Sequence, residues 1–193
     1  MIARIAVAAL GSAVLGAAVA PGQPALAKPR PAAAPAPTSS KFVHARGLDM
    51  FGYYMPTSET RVGRFKLENI SLGSPADFAK WERGQRSRTY APVMVVVSDL
   101  KSPKRTNELG QEFHTVQIRV LPESYRVEPG YFEFTGHDAR LGRVVISGAF
   151  DAKALARAKR AGPNGAQALV ITGGMEFAGE RIRNISFFWF AGD

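Results

Sequence analysis

The stretch Tyr125-Arg126-Val127-Glu128-Pro129-Gly130-Tyr131-Phe132-Glu133-Phe134-Thr135 decides the fold class. Pro129 and Gly130 stand at the two central positions of a type II turn. Proline presets φ at the first, and glycine enters the left-handed region at the second without strain. The arms carry aromatic and β-branched side chains, so Tyr125–Glu128 pairs with Tyr131–Thr135 as an antiparallel hairpin.

The same pattern of short apolar or alternating runs between turn residues recurs on both sides. It covers Phe65–Leu72, Val93–Ser98, Phe113–Leu121, Arg143–Phe150, Leu169–Thr172, Met175–Ala178 and Arg181–Phe190. Strands of this length and spacing predict a mainly β, antiparallel architecture, a sandwich or a barrel. Ala178-Gly179-Glu180 turns the last hairpin, and Gly173-Gly174 reads as a bend between two strands. In Phe65–Leu72 and again in Ile182–Phe187 the apolar parity changes at an asparagine, Asn69 and Asn184, which predicts a β-bulge in each.

Two segments read as helices. Ser74-Pro75-Ala76-Asp77 supplies an N-cap and a proline at the first helical position, and Phe78 and Trp81 share one face. Asp151 caps the second, Ala152–Ala161, which stops at Gly162-Pro163; Phe150 and Leu155 form a hydrophobic staple across its start.

Pro92–Val97, Val144–Ile146 and Phe187–Phe190 are apolar on both faces and require cover on both sides. In Phe113–Leu121, by contrast, His114, Val116, Ile118 and Val120 face one way and Thr115, Gln117 and Arg119 the other. The two-sided strands favour an antiparallel β-sandwich carrying two short helices. The order strand, Gly-Gly, strand, Gly, strand over Leu169–Phe190 resembles small exported lipocalin-like barrels, which makes such a barrel the alternative.

The first 27 residues read as an address. Arg4 precedes an apolar run, Ile5–Ala20, and Pro21 and Pro24 lead to the small-residue site Ala25-Leu26-Ala27, the order of a secretory signal peptide cleaved after Ala27. The run is short for a spanning helix, so no transmembrane segment is expected after cleavage. Lys28–Ser40 (KPRPAAAPAPTSS) is a Pro/Ala-rich linker, and residues 41–193 form one β-rich domain. The expected location is the periplasm or the exterior.

The full chain carries 25 Lys and Arg against 16 Asp and Glu; removing residues 1–27 takes away only Arg4 and leaves a net charge of +8. There is no cysteine, which excludes disulfides, thiolate chemistry and cysteine-ligated zinc. An exported basic domain without a recognition motif points away from nucleic acid and toward acidic envelope surfaces.

Catalytic signatures are scarce. No HExxH or G-x-S-x-G occurs. Of three histidines, His44 lies near the linker and reads as mobile. His114, His137 and Asp138 supply the minimum ligand set for a catalytic metal, although a hydrogen-bonded His114 and ordinary turn chemistry at His137-Asp138 explain them as well. Basic clusters at Arg83–Arg88 and Lys101–Arg105 flank one strand and predict two patches about 20 Å apart. The long loop Asp99–Glu112 offers Lys101, Lys104, Arg105, Asn107 and Glu108 for contact with a partner. Tyr53 and Tyr54, with Arg61 and Arg64, form an aromatic, basic stretch suited to stacking. The reading favours a non-enzymatic binding or accessory domain that needs no cofactor and engages an envelope component or an amphipathic, anionic ligand. A metal-dependent hydrolase and a homo-oligomeric structural subunit are the alternatives.

Overall fold

In a computed structural model, which describes residues 40–162 and 167–192, thirteen strands and two helices follow one another. They are β1 (Phe42–His44), β2 (Gly52–Pro56), β3 (Thr60–Val62), β4 (Phe65–Leu72), α1 (Pro75–Glu82), β5 (Val93–Asp99), β6 (Lys104–Thr106) and β7 (Glu112–His114). Then come β8 (Gln117–Val120), β9 (Pro122–Glu128), β10 (Tyr131–Asp138), β11 (Gly142–Phe150), α2 (Ala152–Ala161), β12 (Leu169–Phe177) and β13 (Glu180–Phe190). The expected signal peptide and nearly all of the linker lie outside the described residues.

The hydrogen-bonded path runs β1-β9-β10-β11-β12-β13-β2-β4-β5-β8, with β3 added to β4, while β6 and β7 form a separate two-stranded ribbon. The mainly β class and the two helices are as the sequence reads. The sandwich is not shown, because the path is one continuous sheet that curls into a half-barrel.

Local chemistry sets most of the pairings. Tyr131 pairs with Glu128 across Pro129-Gly130, and Gly130 has φ +89°, as a type II turn requires. Phe177 pairs with Glu180 across Ala178-Gly179, both at positive φ. The predicted bulges are present: the β4–β5 register shifts between Leu67 and Asn69, and β13 bulges at Asn184, whose φ is +59°. Both helix starts are also as read. Ser74 and Asp77 form a reciprocal capping box, and the Asp151 side chain accepts from the Ala154 amide at 2.8 Å.

Two strand readings change. Phe113–Leu121 is not one alternating strand: β7 ends at His114 in the separate ribbon and β8 begins at Gln117, so His114 does not share the core face of Ile118 and Val120. Leu169–Thr172 and Met175–Ala178 are a single strand, β12, running through Gly173-Gly174. Gly173 pairs with Gly148 of β11, and a Cβ on Gly173 would lie 2.1 Å from the Ser147 carbonyl oxygen. No other residue fits this approach of two bent strands, so the glycine pair permits the curl.

The inner face of the curl is filled. Tyr54, Phe132, Phe134, Phe177 and Phe187 are fully buried there with Ile70, Ile118 and Ile146. β5 is buried on both faces, as its sequence demands, whereas Val145 of β11 and Phe188–Phe190 of β13 are only half-buried. β1 is the parallel exception in the main sheet; it lies along β9 under α1, with Phe42 against Trp81 and Tyr125 at ring distances of 6.1 and 5.2 Å.

Candidate functional site

β8 is an end strand of the sheet path, and it carries the alternation noted in the sequence: Ile118 and Val120 face the core, Gln117 and Arg119 face water. Along this wet face runs a groove of about 540 Å³ lined by Arg88, Thr89, Phe113, His114, Gln117 and Arg119, with Thr115 and Leu121 completing it. Two guanidinium groups and an imidazole thus stand around an apolar ring and a leucine side chain, and no carboxylate lines the wall. Three other surface concavities each include an acidic residue: Glu128 and Glu133, Glu176, or Asp151. The β8 groove is therefore the one of the four whose lining is purely cationic and neutral.

Phe113 and His114 reach the groove from the β6–β7 ribbon. Arg105 pairs with Phe113 and Lys104 with His114, so the expected loop Asp99–Glu112 is mostly an ordered hairpin. A polar node ties down its base. Arg64 grips the Asp99 carboxylate through Nε and one terminal Nη, the Nε bond measuring 2.8 Å, and holds that carboxyl below its ordinary range. Asp99 Oδ1 also accepts the Lys101 amide at 3.0 Å. Ser102 Oγ donates to the Asp99 carbonyl at 2.6 Å and accepts the Val116 amide at 3.2 Å. His114 Nδ1 lies 3.1 Å from the Ser102 carbonyl, which can only accept, so Nδ1 carries the proton.

The other sequence candidates divide. Lys101, Lys104 and Arg105 are exposed on the ribbon, with Lys104 3.0 Å from Glu112. Asn107 holds the turn rather than a partner: its Oδ1 accepts the amides of Leu109 and Gln111 at 3.0 and 2.8 Å. Glu108 is exposed beside it. Tyr53 is exposed, but Tyr54 is a core residue, fully buried with its hydroxyl donating to the Met50 carbonyl at 2.9 Å. Arg64 is committed to Asp99, while Arg61 donates to the Gly63 carbonyl at 2.7 Å.

His114, His137 and Asp138 are not brought together. His137 is exposed at the end of β10 opposite Arg143, Asp138 is engaged by Arg140, and no three His, Asp or Glu side chains among the described residues are arranged to hold a metal ion. His44 is no mobile linker residue. It stacks on Phe78 at 4.0 Å, and its Nε2 donates to the Leu48 carbonyl at 2.7 Å. Burial pushes its pKa down, against the pull of Leu48 and Asp49. Beside it Glu82, raised by burial, accepts from the Tyr125 hydroxyl at 3.2 Å. Arg86 lies over the Phe42 ring at 4.4 Å, a cation–π contact that explains one of the basic residues structurally.

Arg88 of the first predicted basic cluster lines the groove, whereas Lys101, Lys104 and Arg105 of the second are not among its lining residues. Arg119, Phe113 and Leu121 were not singled out by sequence reasoning; the signal available was the polar face of the Phe113–Leu121 run. No family model, curated protein or solved structure matches this chain.

Proposed function

We propose that this chain is an exported, non-enzymatic binding protein whose β8 groove holds an anionic, amphipathic component of the cell envelope. The observation that carries the reading is the groove's lining: Arg88, Arg119 and His114 around Phe113 and Leu121, without a carboxylate. Guanidinium groups bind phosphate or carboxylate in charge-assisted pairs, and the adjacent apolar side chains accept the first carbons behind such a headgroup. The filled interior supports placing the ligand outside the curl, which we read as an open barrel rather than a sandwich. Export rests on the order of charge, apolar run and Ala25-Leu26-Ala27 in the leader. No helix among the described residues is long and apolar enough to cross a membrane.

The test is titration calorimetry with a short-chain phosphatidylglycerol kept below its micelle concentration. Each charge-assisted hydrogen bond contributes about 1.5–3 kcal/mol, so Arg88→Gln/Arg119→Gln weakens binding at least about a hundredfold. Equal affinity of parent and double variant, or no binding by the parent, overturns the assignment. The intact mass of the protein recovered from its own cells tests cleavage after Ala27.

A further inference from the structure

The most exposed large apolar side chain noted on the described surface is Leu109, 81% accessible at the tip of the β6–β7 hairpin. It is not held there by a loose loop. Asn107 Oδ1 takes the amides of Leu109 and Gln111, its Nδ2 donates to Gln111 Oε1 at 3.0 Å, and the Gly110 amide bonds the Asn107 carbonyl at 3.0 Å. The Asp99–Ser102 node fixes the other end of the same hairpin. Leu109 buries nothing within the fold, so its side chain is free to contact another surface.

Basic side chains share the hairpin with that leucine. Lys101, Lys104 and Arg105 lie on the ribbon or at its base, and Phe113, 44% accessible, sits opposite Arg105. The acidic groups of the segment are Glu112, paired to Lys104, and Glu108 at the tip. Leu109 lies four positions before Phe113 with a turn between, so at ~3.3 Å per residue the tip stands at most about 13 Å beyond the groove. An apolar point with cationic shoulders matches a surface that is anionic outside and apolar a few ångströms below, which is a bilayer with acidic headgroups.

We propose that the β6–β7 hairpin docks the protein on an anionic membrane. Leu109 enters the boundary between headgroups and acyl chains, and Lys101, Lys104 and Arg105 lie against the headgroup phosphates. The proposal rests on the groove reading in that it names a lipid as the source of the groove's ligand.

The chain has no cysteine, so Leu109→Cys gives a single labelling site for an environment-sensitive fluorophore, with Ser58→Cys as a control at a position exposed elsewhere. With vesicles of phosphatidylcholine containing phosphatidylglycerol, the label at 109 shifts to the blue and the label at 58 does not; pure phosphatidylcholine leaves both unchanged. Unlabelled Leu109→Asp loses about tenfold or more in vesicle co-sedimentation, with its circular dichroism unaltered. The proposal is overturned if the label at 109 stays silent on anionic vesicles, or if it responds to dextran sulfate instead. Binding of soluble short-chain lipid without vesicle docking leaves the groove standing and removes the hairpin. Insertion at 109 without soluble-lipid binding does the reverse.

Discussion

The substitution Gly173→Ala strains the curl where it is tightest. The added Cβ would stand 2.1 Å from the Ser147 carbonyl oxygen and 2.6 Å from the Gly148 Cα, both backbone atoms of the paired strand. Neither neighbour can swing aside, because β11 is also hydrogen-bonded to β10 and β12 to β13. The strands must separate by roughly 1 Å, an overpacking that costs about 3 kcal/mol. The lost flexibility of the unfolded chain returns about 0.5–1 kcal/mol, leaving a net loss of about 2 kcal/mol. Gly174→Ala is the internal control: its Cβ meets only the Ile182 carbonyl oxygen at 3.5 Å, an ordinary contact, so it is neutral or stabilising by about 0.5 kcal/mol. With a urea slope of about 2 kcal/mol per molar, the midpoint falls by about 1 M for Gly173→Ala and rises by about 0.2 M for Gly174→Ala. Gly148→Ala behaves like Gly173→Ala, and the double variant loses less than the sum, since one strand separation relieves both clashes. A Gly173→Ala midpoint equal to that of the parent, or a larger loss at Gly174, would refute the role given to the glycine pair.

Ser74→Ala removes the side-chain half of the α1 capping box, leaving the residue-74 amide on the Asp77 carboxylate, and lowers stability by about 1 kcal/mol in the same urea assay. Tyr54→Phe strands the buried Met50 carbonyl, costs about 1–2 kcal/mol and leaves ligand binding unchanged. His44 has a folded pKa below 6.5, so the unfolded chain gains a proton first as pH falls, and stability drops below about pH 6.5. Neighbouring Glu82, whose carboxyl is raised, contributes with the opposite sign, so the comparison must be between variants. His44→Phe keeps the stack on Phe78 and reduces the loss of urea midpoint between pH 7 and pH 5.5, a range chosen to span about one unit below the ordinary histidine value.

What the sequence discloses about this fold is what short-range chemistry decides. Pro129-Gly130 leaves one conformation for its hairpin, Ser74 and Asp151 each supply a cap, and the parity changes at Asn69 and Asn184 mark bulges. The curl is different in kind. It depends on Gly148 meeting Gly173 across two strands separated by α2, and nothing within either strand announces the partner. The parallel β1 is equally hidden, because three residues carry no period and their place is fixed by Trp81, Arg86 and Tyr125 from other elements. Lys104–Thr106 lacks an apolar face and reads as loop, while Phe113 and His114 read as the start of the next strand, so the ribbon stays hidden until its pairing is seen. The groove was half legible: the polar face of β8 stood in the sequence, while the arrival of Arg88 and Phe113 beside it is a product of topology.

The central claim, that the β8 groove is where an anionic amphipath sits, is tested most directly by following backbone amide chemical shifts as short-chain phosphatidylglycerol is added. The account predicts saturable shifts concentrated at Arg88, Thr89, Phe113, Gln117 and Arg119. Shifts gathered instead around the Ser40, Tyr125 and Glu133 concavity, or none beyond dilution, would contradict it.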